Sequence, residues 1–207
     1  MANFRVLFVI GALCFISALA GTSAQTNNKN TSPEVVFMGA SIIEWWPKNG
    51  VFFPGKNYLD KGIAGQTSSQ VLKRFVPDVF NHQPKAVVIL VGANDIITNV
   101  SLNTMTENIK SMVKLAHQHG IHVILSSLPP VCGSKVWMRP KMLAYNSWLK
   151  NYAKDNQANY IDFYSALVDK NQLLPRDKTI DCLHPNKAGY AIMSPLAEIA
   201  IQKALKN

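Results

Sequence analysis

The chain has 207 residues, 48% hydrophobic and 16% charged, a mixture that suits one soluble globular domain and excludes a disordered or low-complexity polymer. Three cysteines are too few for a disulfide scaffold, and 11 glycines and 11 prolines without a repeat period exclude collagen-like and solenoid architectures. The 21 basic and 12 acidic residues leave a net charge of +9, but the basic residues are scattered and read as a solvated surface, not a nucleic-acid face.

In chain order, Arg5 precedes an apolar run from Val6 to Ala20, and Thr22-Ser23-Ala24 supplies small residues for cleavage. Residues 1–24 are therefore expected to be a secretory signal peptide. The run is ~15 residues, shorter than the ~20 a spanning helix needs. No cysteine sits just after the cleavage site, so no lipoprotein anchor is expected, and the mature protein is expected to be secreted or periplasmic. Residues 25–33, polar and rich in Asn and Thr, read as a flexible lead into a single domain over 34–207.

Within that domain short apolar runs alternate with amphipathic stretches. Val35–Met38, Ala86–Val91 and His122–Ser126 read as buried strands, Tyr58–Ile63 as a weaker one and Tyr160–Phe163 as a short fifth. Met105, Ile109, Met112, Val113 and Ala116 fall on one helical stripe that Gly120 should end. Lys141–Asn156 reads as a second helix with Leu143, Trp148, Leu149 and Tyr152 as core contacts. Lys187–Leu205 reads as a third helical region that Pro195 breaks or restarts, with Ser194 as a cap. This alternation predicts an α/β fold, a three-layer α/β/α sandwich around a parallel five-stranded sheet. In such folds the chemistry sits on loops leaving the carboxyl ends of strands.

Those loops carry polar punctuation. Gly39-Ala40-Ser41 follows the first strand, Gly62-Ile63-Ala64-Gly65-Gln66-Thr67 the second and Gly92-Ala93-Asn94-Asp95 the third. Asp181-Cys182-Leu183-His184-Pro185-Asn186 precedes the last helix. Taken singly, Ser41 reads equally as a helix cap, Gly65 as a turn glycine and Asn94 as an Asx turn. Taken in order, Gly-x-Ser, Gly, Gly-x-Asn-Asp and Asp-x-x-His-Pro resemble the SGNH hydrolases, also called GDSL esterases, in their small secreted bacterial branch. The resemblance runs from about Val35 to Leu205.

The resemblance implies a flavodoxin-like fold and a serine esterase. Ser41 would be the nucleophile, His184 the general base and Asp181 its orienting carboxylate. The Ser41 and Gly65 N–H groups and the Asn94 amide would form the oxyanion hole, with Gly65 keeping side-chain atoms away from the approaching carbonyl. No metal or other cofactor is implied. Most relatives carry Asp where this chain has Ala40, so a looser nucleophile loop and a modest loss of rate are expected.

Trp46, Trp137 and Arg139 are candidate substrate contacts, because aromatic faces suit sugar rings and acyl groups and a guanidinium suits an anionic group. Cys132 and Cys182 are either a disulfide pinning the His184 loop or two free thiols. His117, His119 and His122 read as helix-end and surface residues. The expected substrate is a short acyl ester, O-acetyl on carbohydrate in first place. A lysophospholipase or acyl-thioesterase of the same fold and a non-catalytic carbohydrate-binding descendant are the alternatives, and no nucleic-acid partner is expected.

Overall fold

The computed structural model describes Met1 and residues 32–206, so the expected leader (apart from Met1) and most of the polar lead lie outside the described residues. Five strands, β1 (Val35–Gly39), β2 (Tyr58–Gly62), β3 (Ala86–Leu90), β4 (His122–Ser126) and β5 (Asn159–Ile161), form one parallel sheet in the order β2-β1-β3-β4-β5. β1 and β3 are buried at every position, as wholly apolar strands in the middle of a covered sheet must be. β2 lies at the edge and is half-buried throughout, which is why its Tyr-Leu-Asp-Lys-Gly sequence is the weaker signal. The strand order reverses between β1 and β3. A crevice therefore opens there at the carboxyl ends, the place where doubly wound sheets bind ligands.

Nine helices connect the strands: α1 (Ser41–Glu44), α2 (Trp46–Asn49), α3 (Ser68–Lys73), α4 (Phe75–Val79), α5 (Ala93–Ile97), α6 (Leu102–Gln118), α7 (Arg139–Asp155), α8 (Phe163–Leu167) and α9 (Lys187–Ala204), counted among the described residues. On α6 all five stripe residues read from the sequence are buried, the Ser101 hydroxyl accepts the Thr104 N–H at its start, and Gly120, at φ +67°, turns the chain into β4.

Three local expectations are corrected. The helix α7 begins at Arg139 with Pro140 in its first turn; its stripe is Met142, Tyr145, Asn146, Leu149 and Ala153, and Leu143 is exposed. Trp148 and Tyr152 stack on each other, ring centroids 4.8 Å apart, at the margin of the core. β5 ends at Ile161 because the Asp162 carboxylate caps α8 by accepting the Ser165 N–H. Finally, α9 runs unbroken through Pro195. A mid-helix proline costs about 3 kcal/mol. Burial of Tyr190, Met193, Ala197, Ala200 and Ile201 against the sheet offsets that cost. Ser194 is no cap: its hydroxyl donates back to the Tyr190 carbonyl and accepts the Trp46 indole N–H.

Asp60 on β2 accepts the Gly62 N–H through one carboxyl oxygen at 2.7 Å, while the other is buried without a partner among the described residues. Burial is the main cause that lifts its pKa to about 6; the Gly62 N–H, Lys48 and Arg74 oppose the rise and the Glu44 charge adds to it. The folded state thus holds this proton more tightly than the unfolded chain. Stability is fullest below the unfolded value of about 4 and declines as pH rises to about 6. Asp60→Asn, which keeps an acceptor for Gly62, is expected to remove that decline. Urea unfolding should then show a gain on the order of 1–3 kcal/mol at pH 8 and little change at pH 3.5.

Candidate active site

The site is built where β1 stops. Gly39 lies against the Leu90 carbonyl with no room for a side chain. The Ala40 carbonyl then accepts the Ile43 and Glu44 N–H groups, both at 3.1 Å, and closes the turn that starts α1. This leaves the Ser41 N–H without a partner among the described residues. Alanine supplies no side-chain cap. Tyr190 ties the turn to α9 instead, its hydroxyl donating to the Ile42 carbonyl at 2.8 Å.

Ser41 Oγ lies 2.8 Å from His184 Nε2, and His184 Nδ1 lies 2.7 Å from Asp181 Oδ2. Ser41 and His184 are buried. The other Asp181 oxygen accepts the Leu183 and His184 N–H groups at 3.1 and 2.8 Å, so this short loop folds around its own carboxylate. Partial burial works against the ionised form of Asp181, but these N–H groups and the His184 ring outweigh it and hold the carboxyl below its usual range.

Three further restraints act on that loop. The His184 carbonyl accepts from Thr179 Oγ1 and the Ile180 N–H. Asn186 caps α9 just beyond it, accepting the Ala188 and Gly189 N–H groups. Cys182, at φ +69°, is disulfide-bonded to Cys132 in the loop after β4, which resolves the alternative that the sequence left open.

Opposite Ser41, Asn94 enters from the start of α5. Its amide donates to the Gln66 carbonyl at 2.9 Å, which ties it to the loop after β2 and leaves its second N–H for another acceptor. The motif's two polar residues divide the work. Buried Asp95 accepts the Ser68 N–H and hydroxyl and so locks the start of α3 to α5. Gly65 sits between these anchors with its N–H unpaired among the described residues. A Cβ there would meet no protein atom within 4 Å, and the backbone at φ +79° by itself favours glycine.

Residues that sequence reasoning passed over hold this loop from outside. The Glu44 carboxylate accepts the Ala64 N–H and pairs with Lys48 at 2.9 Å, contacts that lower its pKa, the Lys48 bond foremost. Arg74 donates to the Gln66 side chain at 2.6 Å, to the Gly39 carbonyl at 2.8 Å and to Asp78 at 2.7 Å. No spacing rule points to either role, because both act across the fold.

Of the candidate substrate contacts, Trp46 is corrected. It is 0% exposed, packed among Phe37, Phe53 and Tyr190, because its indole N–H is drawn to Ser194 on α9. The neighbouring Trp45 lies at the site instead, its ring 4.1 Å from that of His184. Trp137 is 57% exposed on the 3-10 segment Gly133–Met138 that follows Cys132, and Arg139 opens α7 directly after it. Neither lines the cavity beside Ser41. His119 stacks on Phe80 and bonds the Leu115 carbonyl at the end of α6.

That cavity is bounded by Ala40, Ser41 and Ile42 on one side, Leu90 to Asn94 on the other, and Leu128 from the loop after β4. It is small, about 10 Å3. A larger apolar cavity of about 360 Å3, between the Val51–Lys56 loop and α9, shares none of these residues.

Residues 44–192 match the family model of the GDSL-like lipase/acylhydrolase family. The match begins past Ser41, so the place of Ser41 rests on the geometry above. The chain is 37% identical to a GDSL-like lipase from Bacteroides thetaiotaomicron, whose solved structure superimposes with a TM-score of 0.77 over 84% of this chain and 89% of that one. It is 27% identical over 172 residues to platelet-activating factor acetylhydrolase IB subunit alpha1 of Pongo abelii, covering 80% of this chain and 74% of the relative. Against the acetylxylan esterase of Geobacillus stearothermophilus identity is 23% over 154 residues, 68% of this chain and 69% of the relative.

The disulfide spans 50 residues. Replacing both Cys132 and Cys182 by Ala is expected to lower stability by about 2–4 kcal/mol. Hydrogen exchange should locate the loosening, with the Val123–Leu125 amides of β4 losing only the protection that the global change dictates and the His184 N–H exchanging faster still through local opening.

Proposed function

The chain belongs to the GDSL-like lipase/acylhydrolase family, and from that membership we propose that it is a serine esterase removing short acyl groups, acetyl above all, from carbohydrate. The observation that carries the reading is the unbroken hydrogen-bond chain Ser41–His184–Asp181, at 2.8 and 2.7 Å, opening beside a small cavity.

In this reading Ser41 Oγ attacks the ester carbonyl carbon while His184 Nε2 takes its proton. Asp181 holds the imidazole in the tautomer that leaves Nε2 free and stabilises the imidazolium that forms. The carbonyl oxygen, now an oxyanion, accepts the N–H groups of Ser41 and Gly65 and the second N–H of Asn94. His184 returns its proton to the leaving sugar hydroxyl as the C–O bond breaks. Water then repeats the attack on the acyl-serine, with His184 as base, and releases the carboxylic acid. Trp45 lies against the imidazole at a tilt and so limits its rotation, and an aromatic face beside a cationic ring is favourable.

Acetyl is favoured by the size of the cavity and by two relatives whose names state acetyl hydrolysis. Carbohydrate as the alcohol is favoured by the acetylxylan esterase relative. The reading includes export, supported by the leader pattern at residues 1–24 and by a disulfide of the sort that persists in oxidising compartments.

The test is hydrolysis of p-nitrophenyl acetate and of acetylated xylo-oligosaccharide. Ser41→Ala is expected to abolish turnover of both. Asn94→Ala should lower kcat by ~10²–10³ with a smaller change in KM. A rate maximum at octanoate or longer would reverse the acyl assignment in favour of a lysophospholipase or thioesterase.

A further inference from the structure

We infer that Leu128, fixed in place by the side chain of Asn146, sets the acyl chain length that the site accepts; this rests on the reading that Ser41 opens an ester. Around the cavity Ala40, Gly92 and Ala93 contribute a methyl group or less, Ser41 and Asn94 face the chemistry, and Ile42, Leu90 and Val91 belong to the nucleophile turn and the end of β3. Leu128 is the one lining residue that comes from the loop after β4. It is buried, so its bulk is spent inside the molecule.

The backbone of Leu128 is unusually well held. Its N–H donates to Asn146 Oδ1 at 2.8 Å and its carbonyl accepts from Asn146 Nδ2 at 3.0 Å. One planar amide, itself buried on the inner face of α7, thus grips both polar groups of a single residue. Pro129 and Pro130 follow at once, and the whole run Ser126–Cys132 is buried. Such a segment has little freedom to slide. The opposite wall is also backed: Tyr145, the neighbour of Asn146, packs so closely on Gly92 that a Cβ there would come within 2.7 Å of its ring. A longer acyl chain therefore meets a wall that cannot retreat, and α7 supplies the support on both sides.

The experiment compares kcat/KM for p-nitrophenyl acetate and butyrate in the wild type, Leu128→Ala, Leu128→Val, Asn146→Ala and Ser41→Ala, with circular dichroism on each. The butyrate-to-acetate ratio is expected to rise about tenfold or more in Leu128→Ala, the scale of one or two methylenes in a fitted pocket. A smaller rise is expected in Leu128→Val, which keeps the test alive if the alanine variant does not fold. Asn146→Ala should raise the ratio too, an effect that mere loss of stability does not produce. A folded Leu128 variant whose ratio stays within about twofold of wild type overturns the inference. An unchanged ratio in folded Asn146→Ala overturns the part given to Asn146. Acetate turnover that survives Ser41→Ala overturns the esterase reading itself, and with it this inference.

Discussion

Gly39 pairs level with Gly62 on one side of β1 and with Leu90 on the other. That shared register releases three loops from the sheet at one height, beside the point where the strand order reverses. The nucleophile turn and the Asn94 loop then line one cavity, and the Gly65 loop is tied to Asn94 through the Gln66 carbonyl. Two of the three positions are glycines for a packing reason. Gly39 is pressed on the Leu90 carbonyl and Gly62 on the backbone of α1. A side chain at either would push the turn bearing Ser41 away from its neighbours.

Once the loops are level, the site depends on buried polar groups with all their partners present. Asp95 with Ser68 and Asn146 with Leu128 are the two clearest cases. Each would be costly alone, at about 1–3 kcal/mol per unsatisfied group, and each instead locks one element to another. The exposed Glu44–Lys48 pair is worth little as an ion pair. Its use is geometric, because the same carboxylate holds the Ala64 N–H beside Gly65. Together with Arg74, which reaches both the Gly39 carbonyl and the Gln66 side chain, it braces a nucleophile turn that has alanine where a polar cap is usual.

The loop of Asp181 and His184 follows a different plan. It has no strand beneath it and is held by a short-range cage: its own carboxylate, Thr179, the Asn186 cap and the disulfide to the loop after β4. The cage confines the imidazole while Trp45 covers it.

Much of this was legible from residues alone. β1, β3 and β4 are apolar runs too short for helices, α6 carries its stripe at helical spacing, and the motifs stand at the strand ends in the order that a doubly wound sheet requires. These features are local, and local chemistry decides them: strand and helix periods, turn glycines, and the few residue types that can serve as nucleophile, base and oxyanion donor. What stayed hidden depends on partners far away in the chain. Trp45 and Trp46 are adjacent on short helices, and only the arrival of Ser194 and Tyr190 on α9 decides which enters the core. Pro195 reads as a break until the buried face of α9 is known to offset its cost. Cys132 and Cys182 read equally as a pair and as two free thiols until β4 and β5 lie side by side. The sequence by itself determined the fold class and the order of the chemical groups, because both follow from short-range patterns. The tertiary structure alone decided which aromatic meets the imidazole, which cysteines join and which leucine bounds the cavity, because each is a contact between segments that only packing brings together.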